Sequence, residues 1–163
     1  MFIGPIKAAA PRQIRSWKEF GEGAGGSDSY LADAVHGWFE NGGGAYWVAG
    51  TGSAGQLAGY EDALAFLDTE VNIVMTPDLW EAQDDGAVIA KTVARHCANV
   101  QTRMALLHTS KEAEPAEVPE LLGLDEEEAQ FATIYYPWSV PSADGGDMKD
   151  AALGTHCWDL GAD

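Results

Sequence analysis

The sequence predicts an α/β fold: a mostly parallel, four-stranded sheet flanked by helices. Two observations predict it. Short apolar runs bounded by glycine or proline alternate with longer stretches whose apolar residues recur at helical spacing. The connections between them are short, so strand, helix and strand form βαβ units with parallel neighbours and right-handed crossovers. A chain of 163 residues, 46% hydrophobic and 21% charged, also carries enough apolar material for one core.

The elements follow in order. Ser16-Trp17-Lys18-Glu19-Phe20 reads as a capping box, with the Ser16 side chain on the Glu19 amide and the Glu19 side chain returning to the Ser16 amide. The glycines of 21–26 end that turn. Asp28 or Ser29 caps a second helix, whose inward stripe is Leu31, Ala34, Val35, Trp38 and Phe39. Asn41 and Gly42 to Gly44 close it, because they tolerate positive φ. Ala45 to Ala49 is the first buried strand, and a glycine-rich loop runs from it to Gly59. Tyr60 to Leu67 forms a helix with Tyr60, Ala63, Leu64 and Leu67 inward. Val71 to Met75 is the second strand, stopped by Thr76-Pro77. Asp84 or Asp85 caps a long helix to about Asn99, with a stripe of Ile89, Val93, His96 and Val100. Met104 to Leu107 and Thr133 to Tyr136 are the third and fourth strands. Between them, 111–128 reads as a solvated acidic loop that resolves into a short helix over 125–131.

Charge restricts the partners. Nine Lys and Arg against 26 Asp and Glu leave a net charge of −17. Nucleic acid is excluded, because a phosphate backbone is held by clustered cations, and anionic membranes are excluded on the same ground. No apolar run reaches the roughly 18 residues of a membrane span. Gly4 and Pro5 break the amino-terminal stretch, which therefore does not read as a signal peptide. Two cysteines, Cys97 and Cys157, are too few for a disulfide framework, and a cytoplasmic location is the expectation.

Each candidate for chemistry competes with a plainer reading. Gly50-Thr51-Gly52-Ser53-Ala54-Gly55 fits G-x-G-x-x-G after a strand, where glycines bring the backbone to a pyrophosphate, and Glu70 lies near the spacing of a ribose ligand. Against it, Gly59 separates the motif from the helix at Tyr60, and Glu70 precedes the second strand instead of ending it. His96-Cys97 and His156-Cys157 resemble halves of a zinc site. Neighbours on a helix point about 100° apart, so His96 and Cys97 are poor co-ligands. Asp78, Glu81, Asp84 and Asp85 gather at the carboxyl end of the second strand, where α/β folds place their sites, without a calcium-loop spacing. They read as helix caps. No serine stands in a nucleophile elbow. Phe20, Trp38, Phe39, Tyr46, Trp47, Trp80, Tyr135, Tyr136 and Trp138 supply most of the aromatic content; Trp80 and Trp138, at strand ends, are candidates for a partner surface. The expectation is no catalytic, cofactor or metal residue, and no cofactor.

Several segments, taken in order, resemble the contractile tail sheath family of bacteriophages and phage-derived injection systems. They are Phe2-Ile3-Gly4, then Pro11 to Phe20 with its Ser-Trp-x-x-Phe helix, and Trp38-Phe39-Glu40-Asn41-Gly42-Gly43 before an aromatic strand. Glu61 to Leu64 and Glu70 to Leu79, His96-Cys97 with Arg103 to Leu107, and Tyr135-Tyr136-Pro137-Trp138 continue the series. The resemblance implies the sheath's subtilisin-like α/β domain, which is not proteolytic. It further implies partners among full-length sheath subunits or other tail or injection-particle proteins, with homo-oligomers as an option. Set against that family pattern, the expectation is a chain without the terminal arms and the tube-facing domain.

The expectation is therefore a structural, non-catalytic, truncated or accessory sheath subunit of a contractile phage tail or injection system. Residues 1–138 form its α/β domain and 139–163 an irregular Gly/Asp/Ala-rich tail. Two alternatives come from other classes: a small nucleotide- or dinucleotide-binding enzyme using the loop from Gly50 to Gly55, and an acidic module binding basic proteins through Glu112 to Glu128.

Overall fold

The computed structural model describes residues 1–7, 9–24, 29–52, 56–66, 70–82, 85–111 and 113–136. Its strands are β1 (Phe2–Gly4), β2 (Ala9–Ile14), β3 (Tyr46–Gly50), β4 (Ile73–Met75), β5 (Met104–His108) and β6 (Ala132–Tyr135). Its helices are α1 (Trp17–Ala24), α2 (Tyr30–Glu40), α3 (Leu57–Ala65), α4 (Gly86–Val100), α5 (Val118–Leu122) and α6 (Glu126–Ala129). The strands form one sheet in the order β2-β3-β1-β4-β5-β6, parallel throughout except for the antiparallel edge pair β2 and β3.

The sheet has six strands where the sequence pattern predicts four. The two extra strands are β1 and β2, and both escape periodicity for physical reasons. Three residues carry no countable period, yet Phe2-Ile3-Gly4 pairs on both sides, with β3 and β4, and is buried throughout. Strand β2 contains Pro11, which lacks an amide for a ladder; it is accommodated on an edge, beside a register shift between Ala9 and Arg12.

Two apolar clusters lie on opposite faces. One face presents Ile3, Ala49, Val74, Ala105 and Leu107 to α3, α4 and α5. The other presents Phe2, Tyr46 and Val48 to α1 and α2, through Phe20, Leu31 and Val35. Edge-to-face rings at Phe2 and Tyr46, 5.2 Å apart, sit at the centre of that second layer. Parallel sheets are normally covered on both faces. Among the described residues, the second layer covers β3 and β1 and reaches β4 only at Met75. Beyond it, Ile73 on β4 is 47% exposed and Met104 beside it on β5 is 38% exposed.

Several boundaries differ from expectation. Ser16 takes the Glu19 amide at 3.1 Å, but the Glu19 carboxylate takes the Arg15 amide at 2.8 Å in place of the Ser16 amide. Helix α1 runs on through Gly21 and Gly23 to Ala24, so these glycines do not end it. Helix α3 begins at Leu57, three residues before Tyr60. In α4 the buried stripe is Ile89, Ala90, Val93, Ala94, Cys97 and Ala98; His96 is half-buried and Val100 exposed. The acidic stretch holds two helices, α5 and α6, and its Glu128 is buried. Leu67, Asp84, Glu112, Trp138, His156, Cys157 and the whole of 139–163 lie outside the described residues. Among the described residues, no helix is long and apolar enough to cross a membrane.

Candidate functional site

In an open parallel sheet the crevice for a ligand opens at the carboxyl ends of the strands, where the order of connections reverses. Here that point lies between β1 and β4: the chain leaves β1 for β3 on one side, then crosses to β4 on the other. Gly4 ends β1, and Thr76-Pro77-Asp78 follow β4. The amino terminus of α2 points at the same place, and such a terminus attracts anions through its unpaired amides and dipole.

The chain fills this position itself. The Asp78 carboxylate, in a residue 4% exposed, accepts the Tyr30 amide at 3.0 Å and the Leu31 amide at 2.8 Å. The Ser29 hydroxyl accepts the Ala32 amide at 3.1 Å, and the Ser29 carbonyl accepts the Asp33 amide. All four opening amides of α2 are thereby paired within the protein. A Cβ on Gly4 would stand 2.9 Å from Leu31 Cδ2 and 3.2 Å from Asp78 Oδ2, so only glycine leaves room for the cap. Burial pushes the Asp78 carboxyl up to about 6; the two amides oppose the rise, and Glu81 and Asp33 add to it.

Adjoining groups at this edge are structural in their contacts. His108, buried at the end of β5, lies between the Thr109 carbonyl at 3.1 Å and the Thr76 carbonyl at 3.2 Å. Burial holds its imidazole below the ordinary range. Trp80 donates its indole N–H to the His108 carbonyl at 2.7 Å and packs on the α3–α4 cluster. It is thus tied inward, although it stands at a strand end as expected of a partner-facing residue. Lys111 reaches the Tyr30 hydroxyl at 2.7 Å, linking the segment after β5 to α2.

The remaining candidates are dispersed. At the glycine motif, the Thr51 amide pairs with the Gly4 carbonyl and the Gly52 amide with the Ile6 carbonyl. A Cβ on Gly50 would strike the Lys7 carbonyl, so this glycine permits close approach to the protein's own backbone. The motif does run into a helix, since α3 starts at Leu57 with Gly59 inside its first turn; 53–55 lie outside the described residues. Glu70 is exposed ahead of β4. His96 accepts from Arg103 at 2.8 Å, and Arg103 also donates to the Val71 carbonyl. Cys97 points into the core, its thiol pushed up to about 11 by burial. Adjacent in sequence, they diverge in space. Among the described residues, no group of three or more His, Cys, Asp or Glu converges as a metal site. Of the acidic cluster, Asp78 caps α2, Asp85 caps α4 through the Ala87 amide, and Glu81 is exposed. Phe20 and Tyr46 are buried; Trp38, Phe39, Trp47 and Tyr135 are half-buried, and Tyr136 is exposed. Trp38 donates to the Gly44 carbonyl at 2.7 Å and its ring lies where a Gly43 Cβ would project, which explains the Asn-Gly-Gly turn. Gly4 and His108 were invisible as site residues; only the rule placing sites at strand carboxyl ends points to them.

No family profile and no curated protein matches the sequence. Solved structures do share its fold. The chain is similar to one in the cryo-EM structure of the anti-feeding prophage baseplate in its contracted state, with a TM-score of 0.61 and 22% identity over 83% of this chain. It is similar to one in the six-fold symmetrised baseplate structure of the same prophage, with a TM-score of 0.56 and 17% identity over 84% of this chain. The match spans 41% and 39% of those chains, so this protein corresponds to about two fifths of their length.

Proposed function

We propose that the protein is a structural, non-catalytic component of a contractile injection particle of phage type, built on the sheath's subtilisin-like domain and acting as an accessory sheath subunit. The observation that carries this reading is the agreement of two likenesses: the ordered motifs from Phe2 to Trp138, and a fold shared with chains of an anti-feeding prophage baseplate. The filled switch point supports packing over chemistry, because Asp78 occupies the helix terminus where an α/β enzyme would hold an anionic ligand. Residues 1–138 are the packing domain and 139–163 an appended tail. Its partners are full-length sheath subunits or other particle proteins, and it resides in the cytoplasm or in the assembled particle.

Tagged protein co-expressed with the sheath and tube proteins of its own source tests this reading. It is expected to co-sediment with particles and to appear as added density on them in the electron microscope. Recovery only as free protein, with particles assembling unchanged, would overturn it. Extended tubes formed by the purified protein alone would replace the accessory role with that of a full sheath.

A further inference from the structure

We propose that the end of the sheet at the amino termini of β4 and β5 is a docking surface for a protein segment that presents an apolar side chain among lysines or arginines. Two stretches build it, 70–73 and 99–104. The Met104 amide donates to the Asn72 carbonyl at 2.8 Å, the Arg103 guanidinium to the Val71 carbonyl at 3.0 Å, and the Asn72 side-chain amide to the Thr102 carbonyl at 3.5 Å. These ties hold Ile73, Met104 and Val100 at one end of the molecule, 47%, 38% and 39% exposed. Phe66, the C-cap of α3, is 66% exposed at the same end, because α3 packs on α4 and Val71 follows only five positions later.

Charge selects the occupant. The centre of a protein interface is depleted of charged residues and enriched in Met and aromatic ones. Of the exposed residues in the two stretches only Glu70 is charged; the others are apolar, hydroxyl-bearing or, like Asn72, Asn99 and Gln101, amides. Arg103, the one cation of these stretches, is buried with its guanidinium on the Val71 carbonyl and His96. Helices α3 and α4 both end here, and neither has a basic residue in its last turn to offset the partial negative charge of its carboxyl terminus. A lysine or arginine of the partner supplies that charge and donors for the terminal carbonyls, while its apolar neighbour meets Ile73, Val100 and Met104. A second copy fits worse, since it would set like helix termini against each other and a net charge of −17 against the same charge.

The test titrates the full-length, isotope-labelled protein with the blocked peptide Lys-Lys-Leu-Phe-Lys-Lys at physiological ionic strength, following backbone amides by NMR. Shifts are expected at Phe66, Asn72, Ile73 and 99–104, with Glu-Glu-Leu-Phe-Glu-Glu and Lys-Lys-Ser-Ser-Lys-Lys each binding at least tenfold more weakly. Met104→Lys should weaken the cationic peptide at least tenfold, and the exposed control Val88→Lys less than twofold. No binding, equal binding of either control peptide, unchanged affinity in Met104→Lys, or shifts confined to 114–128 would overturn the proposal. So would shifts at 99–104 that grow with protein concentration alone, which would assign the surface to a second copy. The spectra report folding of each variant, and Val100→Lys serves if Met104→Lys does not fold. Because the peptide reads the surface directly, its failure leaves the particle role to the co-sedimentation experiment, and failure of co-sedimentation leaves the surface intact.

Discussion

Among the described residues, strands β1 and β3 lie between helices on both faces, whereas the helices packed on β4, β5 and β6 lie on one face. The first half also holds the filled switch point, where Asp78 joins β4's turn to α2. The second half is held from one side by α4 and α6, which Glu128 links: it accepts from Arg95 at 2.9 Å, lies 3.7 Å from Lys91, and shares a capping box with Asp125. Both halves bury a carboxylate as a tie, yet one closes the crevice at the carboxyl ends of the strands and the other joins two helices on a single face.

The sharpest contrast is between apolar residues of the two halves. Ile3→Ala, in the strand covered on both faces, is expected to cost about 3 kcal/mol, lowering Tm by roughly 10 °C. A loss below 1 kcal/mol in chemical denaturation would deny that β1 is the centre of the fold.

The next effect is a pH dependence. Burial raises the pKa of Asp78 in the folded protein to about 6, above the ordinary aspartate value of 3.8. Its contribution to stability is therefore greatest below pH 4, declines as pH rises through 6, and is flat beyond. Asp78→Asn removes that decline, so variant stability relative to the parent should improve by up to about 3 kcal/mol between pH 4 and pH 7. Denaturation of both proteins at several pH values reads it directly; a pH-independent difference would show that Asp78 is not buried as described.

On the other half, Glu128→Ala removes the acceptor of the Asp125 amide and the buried carboxylate that Arg95 and Lys91 share, at an expected cost of about 2 kcal/mol. Faster hydrogen exchange should follow in α6 and β6 and leave α1 and α2 unchanged. The smallest effect belongs to Ile73→Ala, at about 1 kcal/mol, because its face is only partly covered by described residues. A loss equal to that at Ile3 would erase the distinction between the halves.

Much of the fold was legible in residue patterns, and its gaps have causes. Helices α2 and α4 announced themselves through caps at Ser29 and Asp85 and through helical spacing over 11 and 15 residues. Strand β1 did not, since three residues have no period, and its central place comes from pairing with segments more than 40 residues away. Helix α5 was hidden because its five residues, Val118–Leu122, are too few to show a helical period and only Leu122 is buried. At the switch point Asp78 was visible as an acid after a strand, but not its role, because the amides it pairs lie 47 and 48 residues earlier. Gly4 stands in the sequence only as the glycine closing a short apolar run, and the close approach of Leu31 and Asp78 supplies its physical reason.

The central claim is that this domain serves by packing into a contractile particle. Its most direct measurement is cryo-electron microscopy of particles purified from cells expressing the tagged chain with the sheath proteins of the same source. The account predicts stoichiometric density for the domain, seated against sheath or baseplate subunits. Particles without that density, with the chain recovered only as a free monomer, would contradict it.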